Sequence, residues 1–427
     1  MPDNARTACR RTLCLAAAST PLYLVLSNGA LAQGDNRRDA EEEHFYIGEQ
    51  IVYDDNLFRT AQTGTVTLPI DPSDPNSATR TVAREDYSNR ITLGLGNNFQ
   101  MGQQTLKLRG RVYDVRYNDN DYLDYTGGDA SALYDFRLLT RLSGRLSGAY
   151  NRTLADFANT LGTARDLIET FNYNAMLRYE IGPRWSLSAS GGRIETEHDL
   201  VTRRQENLEA DLGRLSLDYV TPTFHALGLE YRYVDATFPN AIAAPGSFSS
   251  SDYEENAALA RFTYTATIRT QIRLSGGYVE RERPADATAT YSGDVWRAEI
   301  DWKPREKFST MFAAWRELRA YTDVESDYFI SDGYSLGPSW SPTEKIQLEL
   351  TVSYEDQEYL TSRTLDALPT DPQRNDEVLA AEFTLTYKPR DQLAIELSYR
   401  GGDRDSNRVN RRYDAQTAGL AIRWSVF

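Results

Sequence analysis

The chain has 427 residues, with 62 acidic side chains against 47 Lys and Arg and a net charge of −15. Such acidity argues against nucleic acid as a partner. The two cysteines, Cys9 and Cys14, both precede residue 33, and no apolar run is long enough for a transmembrane helix.

Residues 1–32 read as a cleaved secretory signal. A basic n-region with Arg6, Arg10 and Arg11 precedes the apolar run "TLCLAAASTPLYLVL", and Ala30-Leu31-Ala32 is a small-residue cleavage site before Gln33. With Asp3 that segment carries +2, so a chain starting at Gln33 carries −17 and has no thiol. Residues 33–427 are expected to form a single domain.

The first strand runs through "YIGEQIVYDDNLFR" (46–59), and a long polar stretch, 54–86, follows it. From there the chain alternates short turns with longer polar loops. The turns are expected at "MGQQT" (101–105), "LSGRL" (142–146), "IGPRW" (181–185), "VTPTF" (220–224), "IRTQI" (268–272), "WKPREKF" (302–308), "WSPTEKI" (340–346) and "YKPRDQL" (387–393). They recur at intervals of about two membrane-crossing strands plus one loop. Five contain proline, which presets a turn and ends ladder pairing. Between them strands alternate with a period of two. In "FNYNAMLRYEI" (171–181) the aromatic and aliphatic residues share one face and Asn, Met, Arg and Glu the other.

A soluble β-propeller or β-helix is also sheet-rich. Abundant Tyr (27 residues), strands polar at every second position and aromatics beside the turns favour a barrel instead. The expectation is therefore an all-β fold: a transmembrane, antiparallel, up-and-down β-barrel of about 18 strands in the bacterial outer membrane. Short periplasmic turns and long extracellular loops complete it. Its partners include outer-membrane lipid and lipopolysaccharide.

Two groups of charges should face the lumen, where they cost little and tune selectivity. Lys107, Arg109 and Arg111 alternate with Leu106, Leu108 and Gly110 on the third strand. Arg137 and Arg141 alternate with Phe136, Leu138 and Thr140 on the fourth, with Arg109 and Arg137 expected at similar height. This basic wall is a candidate contact for polysaccharide or anions. An acidic wall is expected from Glu349, Glu382 and Glu396 on three consecutive strands, about a quarter turn away. Interior salt bridges would explain the same charges equally well.

Little points to catalysis. His44, His198 and His225 lie far apart in such a barrel, and no serine or cysteine nucleophile motif accompanies them. The chain is not expected to be an enzyme, and no cofactor is expected. In "YNDNDYLDY" (117–125) Asp119, Asp121 and Asp124 are closely spaced, but the glycine and distal glutamate of a calcium loop are missing. A solvated loop is the better reading, and no metal site is expected.

The stretch ending Asp55-Asn56-Leu57-Phe58-Arg59 resembles the start of an outer-membrane β-barrel family encoded with exopolysaccharide biosynthesis genes (EpsL-like, or β-barrel porin-2-like, proteins). The terminal "AIRWSVF" resembles the outer-membrane assembly signal, although Trp424 is out of phase with Phe427. The family resemblance implies a porin-like channel exporting exopolysaccharide or capsular polysaccharide. It implies periplasmic polysaccharide co-polymerase or export proteins as partners. Uptake of oligosaccharides or anions is an alternative. So is a plugged scaffold for periplasmic polysaccharide machinery.

Overall fold

The computed structural model describes residues 45–427 apart from 72–73, 75, 161, 224, 242–251, 285–289, 321–327, 361–372 and 427. The expected signal segment, His44 and the centres of four long loops lie outside the described residues.

Twenty strands occur among the described residues. They are β1 (Phe45–Asp54), β2 (Thr65–Pro69), β3 (Thr79–Ala83), β4 (Asp86–Met101) and β5 (Gln104–Tyr117). Next come β6 (Tyr125–Arg137), β7 (Leu142–Leu154), β8 (Leu167–Ile181), β9 (Trp185–His198) and β10 (Leu208–Val220). The series continues with β11 (Ala226–Thr237), β12 (Tyr253–Thr267), β13 (Thr270–Glu282), β14 (Tyr291–Arg305) and β15 (Phe308–Ala320). It ends with β16 (Tyr328–Thr343), β17 (Ile346–Tyr359), β18 (Asn375–Arg390), β19 (Leu393–Ser406) and β20 (Tyr413–Ser425).

Eighteen of these form one closed antiparallel barrel. Each strand pairs with its sequence neighbour, β1 pairs with β4, and β20 returns to β1. Closure leaves no unpaired edge along the ring. The remaining two, β2 and β3, pair only with each other, as a hairpin inside the stretch read from sequence as a plain loop.

Side-chain alternation decides which face is which. On β1, Phe45, Ile47 and Ile51 are exposed outward, and on β11 so are Leu227, Leu229 and Tyr231. Towards the loop ends the outward positions turn aromatic and then acidic. Examples are Tyr278, Glu280 and Glu282 on β13, and Tyr354, Asp356 and Glu358 on β17. Rings followed by carboxylates mark the upper limit of an apolar band.

The proline phrases have a shared geometry. Ladder register breaks between Trp302 and Arg305, between Trp340 and Thr343, and between Tyr387 and Arg390, so Pro304, Pro342 and Pro389 each lie in a bulge. The bulge leaves the proline carbonyl free to accept from the preceding turn. Arg269 donates to Pro304 O at 2.8 Å, Lys307 to Pro342 O at 2.9 Å and Lys345 to Pro389 O at 3.1 Å. Backbone bonds from Lys303, Ser341 and Lys388 to the same three donors' carbonyls double each link.

One expected turn is misplaced. Residues 142–146 begin β7, and the turn is 138–141. Gly144 serves packing there, since a Cβ would lie 2.4 Å from the Phe136 ring.

Candidate functional site

The hairpin β2–β3 is anchored by the residues that follow β1. Arg59, with φ 52°, turns back so that its guanidinium grips both oxygens of Asp54, at 2.7 and 2.8 Å. Burial opposes the charge on Arg59, but the hydrogen bond and charge of Asp54 raise its pKa above the ordinary value. Asn56 is fully buried. Its amide donates to Thr60 O and to Asp414 O of β20, and its own oxygen accepts from Thr60 N. Asp55 continues the pairing with β20 through Gln416.

Phe58 then enters an apolar cluster with Val66, Val82, Leu123 and Phe157. Residues of three other loops supply the rest of the seat. Pro69 O accepts from Thr163 N at 3.1 Å, Asp71 accepts from the Thr202 hydroxyl, and the Arg80 guanidinium lies 3.9 Å above the Tyr122 ring. From the β7–β8 loop, Ala158 O accepts from Arg404 of β19 at 3.0 Å, six strand spacings from β7 by way of β6, β5, β4, β1 and β20. The hairpin and this loop therefore roof one side of the mouth.

The loop "YNDNDYLDY" is held by internal bonds. Buried Asp86 accepts from the backbone of Tyr87, Asn118, Asp119 and Asn120 and from the Asn120 amide. Asp124 accepts from Tyr117 N and from Arg116. Among the described residues, no group of three or more His, Cys, Asp and Glu is placed to hold a metal ion.

His198 and His225 sit at opposite barrel ends. His198 Nδ1 is 2.7 Å from buried Asp166, which also accepts from Arg203 at 2.8 Å, and Arg203 grips Glu206. Burial alone would raise the pKa of Asp166. The His198 hydrogen bond and the Arg203 charge outweigh it and hold that carboxyl below its ordinary value. His225 lies tilted against the Tyr264 ring and accepts from Thr265 N.

In the lumen, Lys107, Arg109 and Arg111 take the inward positions of β5, and Arg111 pairs with Asp129 of β6 at 2.7 Å. Arg137 and Arg141 do not join them. β6 ends at Arg137, opposite Ser143, and Arg141 lies in the turn, whereas Arg109 stands opposite Ser131 higher up. The misplaced turn caused the error in height. Glu349, Glu382 and Glu396 do take inward positions on β17, β18 and β19; Glu349 accepts from Gln347 at 2.8 Å, and Glu382 stands opposite Arg400.

Sequence reasoning missed the densest charges. A continuous run on the far wall links Asp301, Arg273, Glu299, Arg297, Glu317, Arg319 and Glu355 across β13, β14, β15 and β17. Beside it Arg232 and Arg281 share Glu255, and Arg261 joins Asp218 to Glu230, which also meets Arg214. Across these groups seven arginines face seven carboxylates, so this wall is charge-balanced. The alternating faces were readable; the cross-strand partners, far apart in the chain, were not.

Residues 201–425, just over half of the chain, match the family described as "Putative beta-barrel porin 2". No curated protein matches the sequence. A BenF-like porin from Pseudomonas fluorescens Pf-5 is similar with a TM-score of 0.47 and 7% identity, over 90% of this chain and 98% of that one. OpdQ of Pseudomonas aeruginosa has a TM-score of 0.44 and 10% identity, over 90% and 96%. A mutant ferric enterobactin receptor of Pseudomonas aeruginosa has a TM-score of 0.46 and 10% identity, over 90% and 82%.

Proposed function

This chain belongs to the beta-barrel porin 2 family, and from that premise we propose that it is an outer-membrane channel for export of exopolysaccharide or capsular polysaccharide. An apolar exterior bounded by rings and carboxylates supports the membrane setting. The observation that carries the polymer reading is the balanced guanidinium–carboxylate wall on β10 to β17. Its donors and acceptors can exchange hydrogen bonds with sugar hydroxyls without attracting or repelling net charge. Lys107, Arg109 and Arg111 would add contacts for acidic sugars, since guanidinium forks suit carboxylates.

The roof favours a second reading. A hairpin seated over part of the mouth is also what a plugged scaffold for periplasmic polysaccharide machinery would have. Two measurements separate these readings. Bilayer recording of the purified barrel should show conductance, and deletion of the gene should lower surface polysaccharide while polymer accumulates inside. A barrel without conductance sinks the channel; unchanged surface polymer sinks its assignment to polysaccharide.

A further inference from the structure

Outside the barrel, the outward side chains of β9 to β13 fall into two rows set by ladder register. The lower row is Trp185, Tyr219, Leu227, Phe262 and Leu274, each opposite the next. The upper row, two residues further from the short turns, holds Leu217, Leu229, Ala260 and Gly276. Among these large neighbours Ala260 and Gly276 leave a hollow, part of a groove of about 620 Å³ whose walls are almost wholly apolar. Packing does not demand the glycine, since a Cβ there would lie 3.4 Å from the Trp296 Cβ, an ordinary contact.

The groove has a direction. Trp185 is the first residue of β9, beside a short turn, whereas Leu274 is the fifth residue of β13. Strand tilt therefore carries the rows from the turn end up into the apolar band. At the low end the chemistry changes. Arg184, exposed in the turn before β9, donates to the Tyr219 hydroxyl at 3.4 Å, and the Trp185 and Tyr219 ring centroids are 4.8 Å apart. Among the described residues no carboxylate pairs with Arg184. A guanidinium and two interfacial rings thus stand at the foot of an apolar groove, the order of parts that matches an amphiphile with an anionic head.

We propose that this groove binds one phospholipid, with its phosphate on Arg184 and the Tyr219 hydroxyl. An acyl chain runs past Leu227, Leu229 and Ala260 towards Gly276. A guanidinium suits the head, because phosphate oxygens accept two of its N–H groups at once. Length suits the tail: four strand spacings of about 4.8 Å give the groove about 19 Å across β9 to β13. The proposal rests on the outer-membrane setting given above and not on which solute crosses. In that setting the short turns face the periplasm, where the leaflet is phospholipid and not lipid A.

Photolabelling tests it. The purified barrel is placed in vesicles of phosphatidylethanolamine and phosphatidylglycerol, with a trace of phosphatidylglycerol carrying a diazirine on one acyl chain. Adducts at Leu229, Ala260 and Gly276 should exceed several-fold those at Leu397 and Leu420, exposed outward positions of β19 and β20. Arg184→Gln should lower the groove adducts several-fold and leave those at 397 and 420 unchanged. Ala260→Phe, an apolar change on the lipid face that fills the hollow, should do the same at Leu229 and Gly276. Even labelling of the groove and of β19–β20 overturns the site while the membrane setting stands. Labelling at none of these positions sinks the membrane setting and the proposal with it. Equal groove labelling by a diazirine-bearing lipid A overturns the assignment to phospholipid, and so does cross-linking of two barrels through Leu229. None of these readouts requires conductance or polysaccharide transport.

Discussion

Phe58 meets Phe157 edge to face, with ring centroids 4.9 Å apart, and so joins the stretch after β1 to the β7–β8 loop, four strands round the ring. Both rings are buried, and their neighbours Val66, Val82 and Leu123 come from the hairpin and the β5–β6 loop. Phe58→Ala should therefore loosen the seat of the whole roof. A buried Phe→Ala change costs about 3–5 kcal/mol. Hydrogen exchange at Val66 and Val82 should speed up while the barrel strands stay protected, and conductance should rise. Unchanged exchange at both valines would show that the hydrogen bonds of Asn56 and Arg59 hold the hairpin alone.

The balanced wall makes a prediction about selectivity. Glu299 accepts from Arg273 and Arg297, at 2.8 and 2.7 Å. Glu299→Gln leaves two guanidinium groups short of one negative charge. Reversal potentials in asymmetric salt should move towards anions, at a cost of about 1 kcal/mol in stability because such ion pairs face water. A shift towards cations would contradict the inward orientation of Arg273 and Arg297.

Leu348 and Glu349 are neighbours on opposite faces of β17. Leu348→Arg should destabilise the barrel by about 2–4 kcal/mol if the position lies near the bilayer midplane. Glu349→Arg should change stability much less. Urea-induced unfolding in lipid vesicles measures both; a larger loss at 349 than at 348 would reverse the assignment of faces.

Asp166 gives the mouth an acid limit. Its pKa is lower in the folded chain than in the unfolded one, so its contribution is present above the unfolded value, about 3.9, and is lost as pH falls through the folded value. The protection factors of amides in Val201–Glu206, the turn that carries Arg203 and receives Asp71 through Thr202, should stay level from pH 7 to 5. They should fall only below about 4, and Asp166→Asn should abolish that pH dependence.

The barrel strands were legible because lipid and lumen impose a period of two on nearly every one of them. Phe171, Tyr173, Ala175 and Leu177 alternate with Asn172, Asn174 and Met176 on β8 as the sequence indicates. The hairpin was less legible. Its strands are five residues each, β2 ends at Pro69, and what buries Val66 and Val82 comes from distant loops. The turn at 138–141, "LLTR", has no glycine or proline to announce it, while Gly144 imitated a turn signal because the Phe136 ring needs its space. The charges of the far wall were visible one by one. Their pairing depends on register, as when Arg297 reaches Glu317 on the next strand.

The links between the short turns also run in one direction along the chain, which bears on the order in which hairpins could be fastened. Each long side chain points forward along the chain: Arg269 needs Pro304, Lys307 needs Pro342, and Lys345 needs Pro389. No turn in this series is finished until the next hairpin has arrived. Hairpins added one at a time would each be fastened by their successor, so the growing sheet always has an unfastened end towards the C-terminus. Only the last step, in which β20 meets β1, has no later turn to secure it, and ring closure itself becomes the event that locks the series.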